Sequence, residues 1–456
     1  MHLVVVGGGI TGLAAALEAS RVRPDAQITV LEGASRLGGK LQVSCVGGLP
    51  VDEGADALLR RRPEGIDLAV DVGLGEELIS PATAAASVWS RGALRPLPAG
   101  TLLGVPTDLR ELARSGLISA AGLARVPLDF VLPGPVEMPD EAVGALVTRR
   151  LGREVVERLV DPLLGGVYAG HADQLSVHAT LPQLGPGRSL LQAASRARGT
   201  PAAGPVFGGL AGGLGRLPAA VATASGARIR LDTTVRGLAA TPTGWRLETG
   251  SAAAPEFVDA DAVILAVPAG PAARLLGPHT PAAAGLLAQV GYASVAIVTL
   301  VLAAEPPGAG SGFLVPAVEG RTTKAVTFHS RKWPHGSGDL GVVRASVGRY
   351  GEQLALQRTD AELVTMVTAE LADVVGPLPA LVDSRVVRWG GALPQYAVGH
   401  LDLVAHIRTA VSALPRLAVA GAAYDGVGVP AVIRSGREAA RAVLAQNGGH
   451  DRTGAG

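Results

Sequence analysis

The stretch Met1-His-Leu-Val-Val-Val-Gly7-Gly-Gly-Ile-Thr-Gly12-Leu-Ala-Ala-Ala-Leu-Glu-Ala-Ser20 decides the fold. Leu3 to Val6 is a continuous apolar run, which suits a central parallel strand covered on both faces. Gly7-Gly8-Gly9-Ile10-Thr11-Gly12 then fits G-x-G-x-x-G, and a helix is expected over about Thr11 to Arg21. Pro24-Asp25 turns the chain into a second strand, Gln27 to Leu31, so the opening is a βαβ unit. Glu32 ends that strand twenty residues after Gly12, where an acid can grip a ribose 2′-hydroxyl. Gly7 permits the tight turn, Gly9 lets backbone approach a pyrophosphate, and Gly12 lets helix and strand close-pack. The helix N-terminus around Gly8, Ile10 and Thr11 offers free N–H groups and the positive end of its dipole to phosphates.

Working outward, Gly33-Ala-Ser-Arg36-Leu-Gly38-Gly39-Lys40 follows the ribose-binding acid directly. The Gly pair allows a second backbone approach to a cofactor, and Arg36 a charge-assisted contact with it. Nicotinamide enzymes do not usually need this second loop, whereas a longer, two-ended cofactor such as FAD does. The tail points the same way. Leu417 to Gly421 reads as a strand entering a glycine turn, and Gly426-Val427-Gly428-Val429-Pro430 opens a helix with Pro near its first turn. A helix N-terminus at a flavin's N1/C2=O edge stabilises the anionic reduced ring.

Composition excludes several alternatives. The chain has 456 residues, enough for two or three domains, and its net charge is only +1. Neutrality, with 3% aromatics, argues against nucleic acid as a partner. The single cysteine, Cys45, excludes a disulfide scaffold and a thiolate zinc site, and no histidine pair stands at i, i+4, so no metal site is expected. Residues 281–304 carry no charge, yet Gln289, Gly291, Tyr292 and Ser294 interrupt them and VAIVTLVL is β-branched. They read as a short helix feeding a buried strand, and MHLVVVGGG reads as a strand entering a glycine turn rather than a signal peptide. A soluble, cytoplasmic protein is expected.

The fold class expected is α/β: a Rossmann-type FAD-binding domain, an α+β substrate domain and a helical insertion. Residues 1–75, 205–275 and 385–456 are assigned to the discontinuous FAD-binding domain. Residues 76–204, rich in helical patterns such as DEAVGALVTRRLGREVVERLVDPLL, form the helical domain covering the substrate slot. Residues 276–384 form the substrate-binding sheet domain. ARIRLDTTVRGLAAT and GWRLETG read as short strands, DAVILAVP as a buried one, and the final GGHDRTGAG as frayed.

Longer blocks carry a resemblance. VDEGADALLRRRP (51–63), RPLPAGTLLGVPTD (95–108), LVDPLLGGVYAGHADQLSVHATLPQL (159–184), RKWPH (331–335), RWGGALPQYAVGH (388–400) and the tail AGAAYDGVGVP resemble the flavin amine oxidase superfamily. Within it they resemble the porphyrinogen oxidases of haem biosynthesis, coproporphyrinogen III oxidase and protoporphyrinogen oxidase. The block at 159–184 is the most specific, because amine oxidases and carotenoid desaturases lack it. His171 departs from the acid or Asn common there, and Ala55-Asp56-Ala57 from Pro-Asp-Ser.

The resemblance implies a noncovalent FAD, molecular oxygen as acceptor and a porphyrinogen as substrate. It implies cofactor contacts at Gly7, Gly8, Gly9, Ile10, Thr11, Gly12, Glu32, Arg36, Gly39, Lys40, Gly54, Ala55, Asp56, Val235, Trp389, Val427, Gly428 and Val429. No catalytic acid or base is implied. Arg62 falls at a basic family position near the active site, although Arg60 to Arg62 by themselves read as a solvated charge run. Coproporphyrinogen III, with four propionates, is the expected substrate, against protoporphyrinogen IX with two. Arg60 to Arg62, Lys324, Arg331 and Lys332 are the cations available to hold them. Ferrochelatase, the next enzyme of the pathway, is an expected transient partner, and no stable membrane insertion is expected.

Overall fold

The computed structural model describes residues 1–132, 138–199, 204–333 and 338–446. Pro334, His335 and the tail expected to fray, 448–456, lie outside the described residues. The opening strand, His2–Val6, lies between Gln27–Leu31 and Ala262–Leu265. Arg228–Arg230 and Leu417–Val419 complete a five-stranded sheet in which every pairing is parallel. Alternation divides the first strand between two apolar layers. Leu3 and Val5 pack under the helices Ile10–Val22 and Val429–Ala445. Val4 and Val6 pack toward Trp245 and Leu247 of a three-stranded antiparallel sheet and toward Ala269–Leu276 and His400–Ser412. The two-sided burial is why this strand reads as unbroken Leu-Val-Val-Val.

A seven-stranded sheet forms the second layer system, with Leu381–Pro394 at one edge and Ala93–Pro96 at the other. The helix Asp360–Val375 covers one face, its start fixed by a capping box between Thr359 and Glu362. The helical segment covers part of the other face through Leu314. That segment has its own core, centred on Leu146, Leu159 and Leu164. It is tied together by the buried Asp129 carboxylate, which accepts from Arg150 Nε at 2.5 Å, Ser189 Oγ at 2.8 Å and the Leu191 amide at 2.9 Å.

Three expectations need correction. Residues 76–204 are not helical throughout. Ala86–Ser90 and Ala93–Pro96 form a hairpin on the seven-stranded sheet, because Arg91 and Gly92 both take positive φ, as a two-residue primed turn needs. Leu381–Pro394 is one continuous strand running through the expected boundary at 385. Thr233 to Val235 are not strand: the sheet ends at Arg230, and the Thr233 amide turns back to the Glu32 carbonyl at 2.8 Å. The uncharged stretch at 281–304 is helix Pro281–Leu287 followed by strand Tyr292–Leu302, as expected. Among the described residues no helix is long and apolar enough to cross a membrane.

Candidate active site

The two glycine turns meet in space. Gly436 of the last helix lies so close to the first that a side chain there would run into the Thr11 carbonyl. This approach sets Thr11 beside Gly421, at about 3.9 Å from where its Cβ would stand. The N-terminal ends of Ile10–Val22 and Val429–Ala445 therefore serve one cleft, the second opening at Gly428 with Pro430 in its first turn.

The glycines of the first turn differ in what surrounds them. A Cβ on Gly7 would strike the Ala266 carbonyl, and one on Gly12 the Gly7 carbonyl. A Cβ on Gly9 would meet nothing within 4 Å. Gly9 has extended backbone that any residue can adopt, so the fold itself does not require glycine there. Gly39 lies directly against it, a Cβ there standing 3.4 Å from the Gly9 Cα, and the Gly38 amide donates to the Gly8 carbonyl at 2.8 Å.

Glu32 is held by two backbone amides, Gly8 at 2.6 Å and Ala34 at 2.8 Å, which fix its carboxylate while leaving lone pairs to accept more. Lys40 keeps open surface although protein crowds it on most sides, the situation of a side chain in a cleft, and that crowding lowers its pKa. Arg36 donates to the Leu37 and Gly39 carbonyls at 3.2 and 3.1 Å and lies 5.8 Å from the Trp389 ring centre. Trp389 in turn donates its Nε1–H to the Glu53 carbonyl at 2.8 Å. Val235 is half-buried beside the Glu32 turn.

Asp56 sits in a buried polar knot. Its carboxylate accepts from Lys332 Nζ at 2.8 Å and Trp333 Nε1 at 3.2 Å, and Arg344 lies 3.4 Å away. Arg344 also donates to the Gly54 carbonyl at 2.6 Å. Burial alone would raise the Asp56 pKa, but Lys332, Arg344 and His329 more than reverse that. In the same knot burial pushes Asp52 up to about 6 and His329 down to about 4. The sequence offered no sign of this knot, because its members come from loops and strands far apart in the chain.

The cations singled out in the sequence are not brought together. Arg62 is exposed at the start of the helix Pro63–Asp71. Arg331 is held by Glu305 at 3.1 Å and stacks on Phe328, and Lys332 is neutralised by Asp56.

Residues 10–444 match the family described as flavin containing amine oxidoreductase. The chain belongs to the flavin-containing amine oxidoreductases. Within these amine oxidoreductases, it is 39% identical to a coproporphyrinogen III oxidase of Mycobacterium leprae, over 97% of this chain and 98% of that one. It is 30% identical to a protoporphyrinogen oxidase of Macaca fascicularis, over 97% and 98%. A crystal structure from Exiguobacterium sp. 255-15, provisionally named a protoporphyrinogen oxidase, superposes with a TM-score of 0.88 at 33% identity, covering 98% of this chain and 99% of that one.

The cofactor is FAD: the amine oxidoreductase family is flavin-containing, and the Gly7–Gly12 turn with Glu32 is built for a dinucleotide. The residues present fit it. Gly9 and Gly39 leave a cradle between two backbone loops that a side chain would fill. The Glu32 carboxylate is fixed in place by two amides, and a second helix start, at Gly428, follows the glycine turn that meets the first.

Proposed function

We propose that this protein oxidises coproporphyrinogen III to coproporphyrin III in haem biosynthesis, with molecular oxygen as the final acceptor. The reading is carried by the 39% identity to the M. leprae coproporphyrinogen III oxidase, which runs over 97% of the chain and so reaches well beyond the cofactor-binding turns. The division into an FAD-binding part, a helical cover and a substrate sheet belongs to this reading, with Ala86–Pro96 moved from the cover to the sheet.

Gly7 to Gly12 and Gly39 take the pyrophosphate, and Glu32 and the segment at Val235 take the adenosine end. Lys40, Gly54 to Asp56, Trp389 and Val427 to Val429 line the flavin end. Arg36 acts by holding the Gly39 loop in shape, and Asp56 by holding Lys332 and Arg344 in theirs. Hydride acceptance is the chemistry FAD supplies when bound, in three rounds that together remove six electrons and six protons while oxygen becomes hydrogen peroxide. The chain contributes binding, orientation and exclusion of water. Leu314 packs against Gly166 of Asp161–Tyr168, so this helix closes the sheet face beside which the tetrapyrrole is proposed to lie. No side chain is assigned as acid or base for the pyrrole N–H proton. The protein works in the cytoplasm, and ferrochelatase receives the product by transient contact.

Anaerobic mixing of purified protein with each porphyrinogen tests the reading. Coproporphyrinogen III should bleach the flavin with a higher kcat/KM than protoporphyrinogen IX. A preference for protoporphyrinogen would transfer the assignment to the activity named for the macaque relative. Absence of bleaching with both would overturn it.

A further inference from the structure

We infer that Lys324 and Arg349 form a carboxylate-binding subsite at the end of the slot between the seven-stranded sheet and the helix Asp161–Tyr168, and that it takes one propionate of the tetrapyrrole. The ligand rests on the reading given under Proposed function; the site rests on geometry.

The chain has only three lysines, Lys40, Lys324 and Lys332. Lys332 is paired with Asp56. Lys324 is 6% exposed, and among the described residues no side chain or carbonyl bonds its ammonium. Its charged neighbour is another cation, Arg349, also 6% exposed. Arg349 donates Nη2 to the Val315 carbonyl at 3.0 Å, and the Val315 amide donates to the Lys324 carbonyl at 2.9 Å, so the two residues adjoin. Burial, helped by Arg349, pushes the Lys324 ammonium down to about 7. The carboxylates near Arg349 are Glu352, 3.6 Å away, half-exposed and shared with His171, and Asp161, on which Arg349 acts electrostatically; neither acts on Lys324. Burying an ammonium that has no carboxylate of its own, beside a guanidinium, costs stability.

A β-bulge decides where Lys324 points. Thr323 pairs with Val347 and Ala325 with Ser346, so Lys324 is an extra residue in its strand. Strict alternation would place it with Val326 and Phe328, under the helix Asp360–Val375 in an apolar layer. The bulge re-aims it. Ala325 pairs with Leu314, whose side chain packs against the helical cover near Gly166. Arg349 influences Asp161, the first residue of that cover's helix Asp161–Tyr168. On the opposite side Glu370 accepts from the Thr322 and Thr323 amides, and its charge does not act on Lys324. Two buried cations thus converge on the face that the helical cover closes, which is where the substrate is proposed to lie.

The test compares the FAD-loaded wild type with Lys324→Met and Lys324→Arg. Coproporphyrin III, the tetracarboxylate product, is titrated by its own fluorescence, and kcat and KM are measured for coproporphyrinogen III. Lys324→Met should weaken coproporphyrin binding and raise KM by about tenfold, the scale of one hydrogen bond to a charged group, with kcat changing less. Lys324→Arg should retain most of the affinity. The melting temperature of Lys324→Met should rise, since an uncompensated charge is removed, whereas loss of a structural lysine would lower it. Unchanged porphyrin binding in Lys324→Met, or a fall in its melting temperature, overturns the subsite. So does loss of inhibition by inorganic phosphate with porphyrin binding intact, which would assign the site to small anions. A wild type that neither binds coproporphyrin nor oxidises a porphyrinogen would instead overturn the function, and the propionate ligand with it.

Discussion

Lys332 Nζ stands 2.8 Å from the Asp56 carboxylate, joining the end of the short helix His329–Lys332 to the loop between the strands Leu49–Asp52 and Leu58–Leu59. Both side chains are largely buried, and Arg344 shares the same carboxylate. Asp56→Asn would leave two cations facing each other without a counter-charge. It should destabilise the protein by about 3 kcal/mol, the range for breaking one partner of a buried pair. Asp56→Asn with Lys332→Met should recover part of that loss. Thermal unfolding of the three proteins decides it; a double variant no better than the single one would contradict the coupling.

Gly9 and Gly436 make opposite predictions. Gly9→Val adds a side chain into open space, so the FAD-free protein should fold with an unchanged melting temperature and purify colourless. Gly436→Val drives a side chain into the Thr11 carbonyl, so it should lower stability whether or not FAD is present. Absorbance at the flavin band and the melting curve of the apoprotein, taken together, separate the two effects.

The lowered pKa of Lys324 predicts a pH dependence. Its ammonium gives up the proton at about 7 in the folded chain, against an ordinary lysine value of 10.5. Between those values the unfolded chain holds more protons, so this group makes stability rise with pH from about 7 toward 10. Arg349, with Glu352 beyond it, is the charged neighbour on one side, and Glu370 on the other is turned to the Thr322 and Thr323 amides. Stability of wild type minus that of Lys324→Met, followed from about pH 6.5 to 9, should therefore climb. A flat difference would show that the ammonium is solvated.

Asp129 secures the helical cover by bonds to Arg150, Ser189 and the Leu191 amide. Asp129→Ala should loosen that cover while leaving FAD in place. The expected signature is faster proteolysis within residues 109–198 and a raised KM, with the flavin spectrum unchanged. Loss of flavin in this variant would mean that the cover and the cofactor cleft do not behave as separate units.

Much of the cofactor cleft was legible because its physics is local. A glycine turn, an acid after a strand and a helix start each occupy a few consecutive residues: the turn opens helix Ile10–Val22, Glu32 follows strand Gln27–Leu31, and Gly428 precedes helix Val429–Ala445. The substrate side was not legible in that way. Arg60 to Arg62 form a conspicuous run, yet Arg62 projects into solvent. Lys324 looks like one polar residue in a strand, and the bulge against Ser346 that breaks the alternation there cannot be read from the sequence. Asp56 is implied as a cofactor contact by the resemblance, and its partners Lys332 and Arg344 stand at least 276 residues further along the chain, where no local pattern links them to it. Ala86–Pro96 was absorbed into a helical texture because its strands are short and its turn depends on Arg91 adopting positive φ.

The close approach of Gly436 to Thr11 has a consequence for biogenesis. The first helix leaves the ribosome early, with its apolar face and its half of the cleft already made. The surface it needs does not exist until Val429–Ala445 has been synthesised. Until then the nascent chain has an unsealed apolar groove and cannot retain its prosthetic group. A stall or a frameshift just before the codons of that helix would therefore release a chain that is colourless and prone to aggregate.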